Sequence, residues 1–211
     1  WLISSVQLAV KPGIFYALIL CLLALSVLFP FHQLTIILAL GSMPLAFTYP
    51  LMKIFTYCPQ LFLGITFNYG LILGWTALKG QIDIVPIMFY LGAIFWTLGY
   101  DTIYGYQDIK DDEIIGLKST SIKFKGKEKN FLFICYALLL ILFLIGGYYM
   151  KFNNIYYFLT IIPFLHLFFY QIRLFKSKDP KSCLNIFKSN NLFSLLIFLN
   201  LFIIKNLYWT K

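Results

Sequence analysis

Seven apolar runs dominate this chain, at roughly 14–31, 33–50, 60–78, 84–104, 130–150, 155–174 and 191–208, and none holds more than one charged side chain. A helix of about 20 such residues spans the roughly 30 Å of hydrocarbon in a bilayer. Inside that hydrocarbon every backbone amide must find a partner within the protein, so only helices and closed barrels cross it. The ten-residue alternating strands of a membrane barrel are absent. The runs therefore predict an all-α, multi-span transmembrane bundle of seven spans, with residues 1–211 as one membrane domain and the lipid bilayer as its surroundings. Composition agrees: 61% of residues are hydrophobic and only 12% are charged, about half the charge of a soluble domain.

The breaks between runs carry turn chemistry, in "FPFHQ", "YPLMKIFTYCP", "KGQID", "KFNN" and "KSKDPKSC". The first break is so short that the two spans around it form a tight hairpin. Seven spans place the loops alternately on two sides. One side collects Lys11, Lys53, the six lysines from Lys110 to Lys129, Arg173, Lys176, Lys178, Lys181 and Lys188. The other holds Lys79, Lys151, Lys205 and Lys211. The rich side is expected to be cytoplasmic. This distribution accounts for the +9 net charge without a nucleic-acid partner, because basic loops belong beside anionic lipid. The four cysteines (Cys21, Cys58, Cys135 and Cys183) share no metal-ligand or disulfide spacing. His32 and His166 read as turn and core residues.

The chain's negative charge is concentrated. Asp101, Asp108, Asp111, Asp112 and Glu113 are five of its eight acidic residues, and they lie at the mouth of the fourth span, among lysines. If that span continues as helix past Tyr104, then Asp101, Asp108 and Asp112 fall within about 40° of one face. Asp111 sits about 80° to the side, and Asp101 lies about 10 Å deeper than Asp108. Gly105 and Gly116 mark break points. Two carboxylates one turn apart repel unless a cation lies between them. Mg²⁺ takes one or two carboxylates, keeps several waters and completes its shell with substrate phosphate, which suits Asp108 and Asp112. Lys53, Lys110, Lys118 and Lys123 suit the outer oxygens of a diphosphate. An ionised Asp101 inside a span is costly and reads as functional. Tyr100, Tyr104 and Tyr106 are ordinary at a membrane interface, and their ring faces also stabilise cations. The plain alternative is a solvated loop of mixed charge.

The stretch "YDTIYGYQDIKDDEIIGLKST" resembles the second aspartate-rich motif of the UbiA superfamily of intramembrane prenyltransferases. Its form YDTxYxxxDxxDDxxxGxKST is similar to that of the group acting on 4-hydroxybenzoate. It is met here by Tyr100, Asp101, Thr102, Tyr104, Asp108, Asp111, Asp112, Gly116, Lys118, Ser119 and Thr120. A second segment, "AFTYPLMKIFTYCPQLFLG", resembles the family's YPxxK loop through Tyr49, Pro50 and Lys53, followed by Pro59, Gln60 and Gly64. A weaker third match, "CLNIFKSNNLFS", supplies Phe187, Asn190 and Asn191. Two departures occur: Ile54 stands where Arg usually follows the YPxxK lysine, and Lys125 stands where Gly is usual, with Gly126 one place later.

The resemblance implies a nine-helix fold of which these spans match helices three to nine. The family's first motif, NDxxDxxxD, is not found, the chain starts at Trp1, and "SSVQLAV" is similar to the segment following that motif. The expectation is an N-terminally incomplete enzyme, inactive alone, with cytoplasmic catalytic loops at about 50–59 and 105–129. The activity implied is Mg²⁺-dependent transfer of a polyprenyl group from polyprenyl diphosphate to 4-hydroxybenzoate in ubiquinone biosynthesis. It would take place in a bacterial cell inner membrane or, alternatively, a mitochondrial inner membrane. The implied metal ligands are Asp108, Asp112 and Asp111. The implied catalytic residues are Asp101, Tyr104 and Lys53, and the substrate contacts are Tyr49, Tyr100, Lys110, Lys118, Asn190 and Asn191. An inactive gene fragment, a menaquinone or haem O prenyltransferase, and a channel or transporter remain as other readings.

Overall fold

The computed structural model describes residues 10–209, with side chains from 12 to 207; Lys211 and most of the "SSVQLAV" segment lie outside the described residues. Every described element is helical: α1 (Val10–Leu28), α2 (Gln33–Thr48), α3 (Met52–Phe55), α4 (Pro59–Phe67), α5 (Gly70–Lys79), α6 (Ile84–Gly105), α7 (Ile109–Ile115), α8 (Thr120–Lys123), α9 (Glu128–Tyr149), α10 (Asn154–Leu165), α11 (Ile172–Leu174), α12 (Pro180–Lys188) and α13 (Asn190–Trp209). A 3-10 turn over Tyr49–Leu51 joins α2 to α3, and a π-turn over His166–Gln171 joins α10 to α11.

Six stretches are long and apolar enough to cross a membrane: Gln33–Phe55, Pro59–Lys79, Ile84–Gly105, Glu128–Tyr149, Asn154–Leu174 and Pro180–Leu207. A shorter apolar helix, Pro12–Leu28, precedes them at the position of the first expected span. The chain is an integral membrane helical bundle. Several spans are composite for local reasons. Pro44 lies inside α2, and Pro163 lies inside α10 just before the π-turn, since proline removes an amide donor. The α4–α5 break at Asn68 is held by its own side chain. Asn68 Nδ2 donates to Gly64 O at 2.8 Å, Thr97 Oγ1 at 2.7 Å and Ala93 O at 3.2 Å. That compensates backbone groups left open in a medium without water.

The core forms where α6 packs along α9 and the C-terminal helices close over both. Leu98, Ile103, Leu132, Tyr136, Leu139 and Leu167 fill it. The fourth span does not run on through the acidic cluster: α6 ends at Gly105, one of the two marked break points, and a new helix begins at Ile109. The chain folds back at this point because Gly105 lies against Ser121, where a Cβ would run into the serine hydroxyl. The presumed loops at 50–59 and 105–129 are largely short helices.

The basic segments gather at one end of the bundle, as the charge pattern predicts. Lys118 N donates to Lys53 O at 2.8 Å. Gln107 Nε2 donates to Pro180 O and Lys129 Nζ to Arg173 O, both at 3.4 Å. At the opposite end Trp75 Nε1 meets Asp83 Oδ2 at 3.1 Å.

Candidate active site

Asp101 sits on the last turns of α6, facing a cavity of about 250 Å³. Tyr49, Lys53, Pro59, Gln60 and Leu63 complete its lining. Two motifs about fifty residues apart in sequence thus share one space. The wall is set by the "KST" run that follows the acidic cluster. Ser119 caps α8 by accepting from Ile122 N at 3.3 Å. Thr120 N donates to Gln60 Oε1 at 3.0 Å, and the Thr120 and Thr102 hydroxyls meet at 2.6 Å. Ser121 Oγ donates to Thr102 O at 2.9 Å. Ser119, Thr120, Ser121 and Thr102 have no exposed surface, so this is a buried polar latch with its hydrogen bonds made, the condition under which such groups are tolerated.

Asp108 occupies the N-cap of α7, and Asp112 N donates to Asp108 O at 2.9 Å. The one-turn spacing of these carboxylates therefore holds, although Asp101 belongs to a separate helix. Gly116 ends α7 at φ +79°, a backbone conformation that favours glycine, and turns the chain toward the latch. Asp112 is buried, its side chain 8% exposed, and Lys53 Nζ lies 3.3 and 3.4 Å from its two carboxylate oxygens. The positive group beside Asp112 is thus the YPxxK lysine. Lys53 bridges the two halves of the site, bordering the Asp101 cavity on one side and neutralising α7 on the other. Asp108 and Asp111 are exposed. Among the described residues no group of three or more His, Cys, Asp or Glu side chains is disposed to hold a metal ion. The trio Asp108, Asp111 and Asp112 is therefore not drawn together as a closed ligand set.

The other expected residues divide between two places. Lys118 holds the Lys53 segment through its own backbone amide, and its ammonium reaches Phe55 O at 3.4 Å and the Tyr57 ring at 5.5 Å. Lys110 lies about 200° around α7 from Asp112, lining a different cavity with Tyr106 and Lys125. Tyr100 and Tyr104 turn from the Asp101 cavity toward Phe187, at ring distances of 5.8 and 4.9 Å. Trp96 stacks edge-on against Tyr100 at 5.2 Å. Trp96, Tyr100 and Phe187, with Asn190 and Asn191, border a second cavity of about 180 Å³.

Asn190 differs from expectation. Its Oδ1 accepts from Trp96 Nε1 at 2.9 Å and Gln171 Nε2 at 3.1 Å, while Nδ2 donates to Phe187 O at 3.0 Å. Its amide is occupied within the fold, and Asn191 is the exposed partner of the pair. Gln171 also accepts from Tyr136 Oη at 2.7 Å. The Gln60 latch and the Trp96–Asn190–Gln171–Tyr136 chain carry no role in the sequence reading. Their signal was the presence of an amide inside an apolar run, where polar side chains are expensive unless paired.

A helical membrane bundle with a lysine–carboxylate site at one mouth, open to an apolar interior, defines the class. Residues 2–202 match the UbiA prenyltransferase family, and the chain belongs to it. It is 40% identical over 198 residues to the human mitochondrial 4-hydroxybenzoate polyprenyltransferase, covering 90% of this chain and 51% of the relative. It is 34% identical over 197 residues to the 4-hydroxybenzoate octaprenyltransferase of Francisella tularensis subsp. novicida, covering 93% and 69%. The chain thus spans about half the length of the human relative and just over two thirds of the bacterial one. A UbiA homolog from Aeropyrum pernix K1, solved in its apo form, shares the fold at TM-score 0.71 and 18% identity, over 85% of this chain and 67% of that one. A digeranylgeranylglyceryl phosphate synthase matches at TM-score 0.69 and 18% identity, over 93% and 70%.

Proposed function

We propose that this chain contributes the site that transfers a polyprenyl group from its diphosphate to 4-hydroxybenzoate, a step of ubiquinone biosynthesis. The observation that carries this reading is the meeting of Lys53, Asp112 and Asp101 around one cavity at the mouth of an apolar bundle. The relatives' names supply the substrate pair.

The donor chemistry suits Mg²⁺. Asp108 and Asp112 are hard oxygen ligands one turn apart on α7, with open water around Asp108, and this ion binds through one or two carboxylates plus phosphate and water. When bound it would neutralise the departing diphosphate. The chain's own groups do the rest. Lys53, nearly half-exposed, lies where it can leave Asp112 for a phosphate oxygen. Breaking the allylic C–O bond sends the electron pair to the diphosphate and leaves an allylic cation. The bundle interior keeps water from that cation. Asp101 accepts a hydrogen bond from the phenol hydroxyl, which raises electron density on the ring. The carbon ortho to that hydroxyl forms the new C–C bond and then gives up its proton to the released diphosphate. Lys118 keeps the Lys53 segment in place. The reading puts the protein in an inner membrane of a bacterium or a mitochondrion.

The test uses membranes from a strain that expresses the full-length protein, supplied with prenyl diphosphate, labelled 4-hydroxybenzoate and Mg²⁺. Asp108→Ala combined with Asp112→Ala should abolish the prenylated product. Turnover equal to that of the unaltered protein would end the assignment.

A further inference from the structure

A further cavity, larger than the Asp101 site, is a cleft of about 560 Å³ at the same end of the bundle, between the start of α9 and the segment after α11. Four lysines line it: Lys127, Lys129, Lys176 and Lys178. Lys129 Nζ contacts Arg173 O at 3.4 Å, and no carboxylate lies within salt-bridge distance of any of the four among the described residues. The one carboxylate in the cleft, Glu128, is taken up by Ser177, whose Oγ donates to Glu128 Oε1 at 2.5 Å. A second cavity, of about 500 Å³, shares Glu128, Ser177 and Lys178 with the first. There Tyr106, 4% exposed, keeps a buried hydroxyl without a hydrogen-bond partner. Burial pushes its phenol above the ordinary tyrosine value, with the charge of Glu128 adding to the shift, so the hydroxyl stays protonated as a donor.

The segments leading away from the cleft carry exposed apolar side chains: Phe133 and Ile134 on α9, Phe169 and Tyr170 in the π-turn, and Leu174 on α11 are 43–66% exposed. Four cations at headgroup depth above an apolar wall match a ligand with a negative head and a hydrocarbon tail. Basic pockets between spans on the positively charged side hold anionic headgroups.

We propose that this double cleft binds the phosphate headgroup of an anionic phospholipid, its acyl chains lying along α9 and α11. The headgroup's phosphate meets Lys127, Lys129, Lys176 and Lys178. This site is on the far side of α7 from Lys53 and Asp112, and it does not depend on the transfer reaction.

The experiment places the purified protein in nanodiscs of phosphatidylcholine with increasing phosphatidylglycerol. Thermal unfolding is followed, and lipid retained after extraction is counted by native mass spectrometry. The unaltered chain should show saturable stabilisation and retain phosphatidylglycerol. Lys127→Gln, Lys129→Gln, Lys176→Gln and Lys178→Gln together should weaken that response roughly tenfold or more, with melting in pure phosphatidylcholine unchanged. The four Lys→Arg changes should preserve it, which separates lost charge from lost fold. Equal weakening by Lys181→Gln with Lys188→Gln, which lie on the same side outside the cleft, would overturn the proposal. So would an unaffected quadruple variant. Inorganic phosphate that stabilises the protein in pure phosphatidylcholine as strongly as the lipid does would also overturn it, by showing a site for a free anion.

Discussion

The span that carries α2 and the span formed by α6 are similarly apolar, yet 11% of the first is buried in protein and 44% of the second. Their glycines show the contrast locally. Around Gly41 of α2 a Cβ would meet nothing within 4 Å, whereas at Gly99 of α6 it would come within 2.7 Å of the Tyr136 ring. Hydrophobicity does not separate these helices, because lipid tails are as apolar as a leucine core. Close approach and paired polar groups do. α6 has both: Gly99 against Tyr136 and Gly92 against Phe143, with Thr97 and Thr102 bonded to neighbouring helices. It also lines both small cavities, with Asp101 in one and Tyr100 in the other. In this fold, then, Asp101 and Tyr100, two of the expected site residues, sit on the most enclosed of the six long spans, and the sparsely covered α2 carries none of the expected residues before its YPxxK end.

Substitutions can break or sharpen that contrast. The largest effect belongs to the mouth of α6. Loss of Asp108 and Asp112 should lower product formation by at least about a thousandfold, in the range found when groups that stabilise developing charge are removed, against a stability cost of only about 1 kcal/mol from the broken Asp112–Lys53 pair. Next is Gly99→Ala, expected to cost roughly 1–3 kcal/mol through overpacking, read as a lower unfolding temperature in detergent. Gln171→Leu should follow at about 1–2 kcal/mol. It strands the hydroxyl of Tyr136 and removes one donor from Asn190, and Gln171→Glu would retain only the acceptor facing Tyr136. Lys53→Ala should cost about 1 kcal/mol, because Asp112 loses its partner while the lysine itself is nearly half-exposed; Lys53→Arg should recover most of it. The smallest effect is on the open side. Gly41→Ala should be neutral or stabilise by up to about 1 kcal/mol, and a large loss there would show that α2 is covered by something in the membrane.

Much of the site could be read from the order of residues. The spacing of Asp108 and Asp112, the pairing of Tyr49 with Lys53, and Asp101 at a span end are all local patterns, and each keeps its geometry. Lys53 was read as a partner for phosphate, and nothing local points to Asp112 as its contact, 59 residues away. Lys110 belongs to the same motif as Asp112 yet faces another cavity. Asn190 resembled a substrate contact, but a tryptophan and a glutamine from distant helices occupy it. Gly105 was legible as a break point, and α6 ends there; that Ser121 is what packs against it was not.

By itself the sequence determined that this is a helical membrane protein, where most of its apolar spans lie, and that most of its acids and most of its bases meet on one side. Those properties follow from hydrocarbon's demand that apolar length match membrane thickness and that charge stay outside it. Only the tertiary structure decided which helix is enclosed, which lysine neutralises Asp112, and that Tyr100 and Asp101, adjacent in the chain, open onto different cavities. In a bilayer the solvent is as apolar as the core, so the choice of partners rests on side-chain fit and hydrogen bonds between residues far apart in the chain.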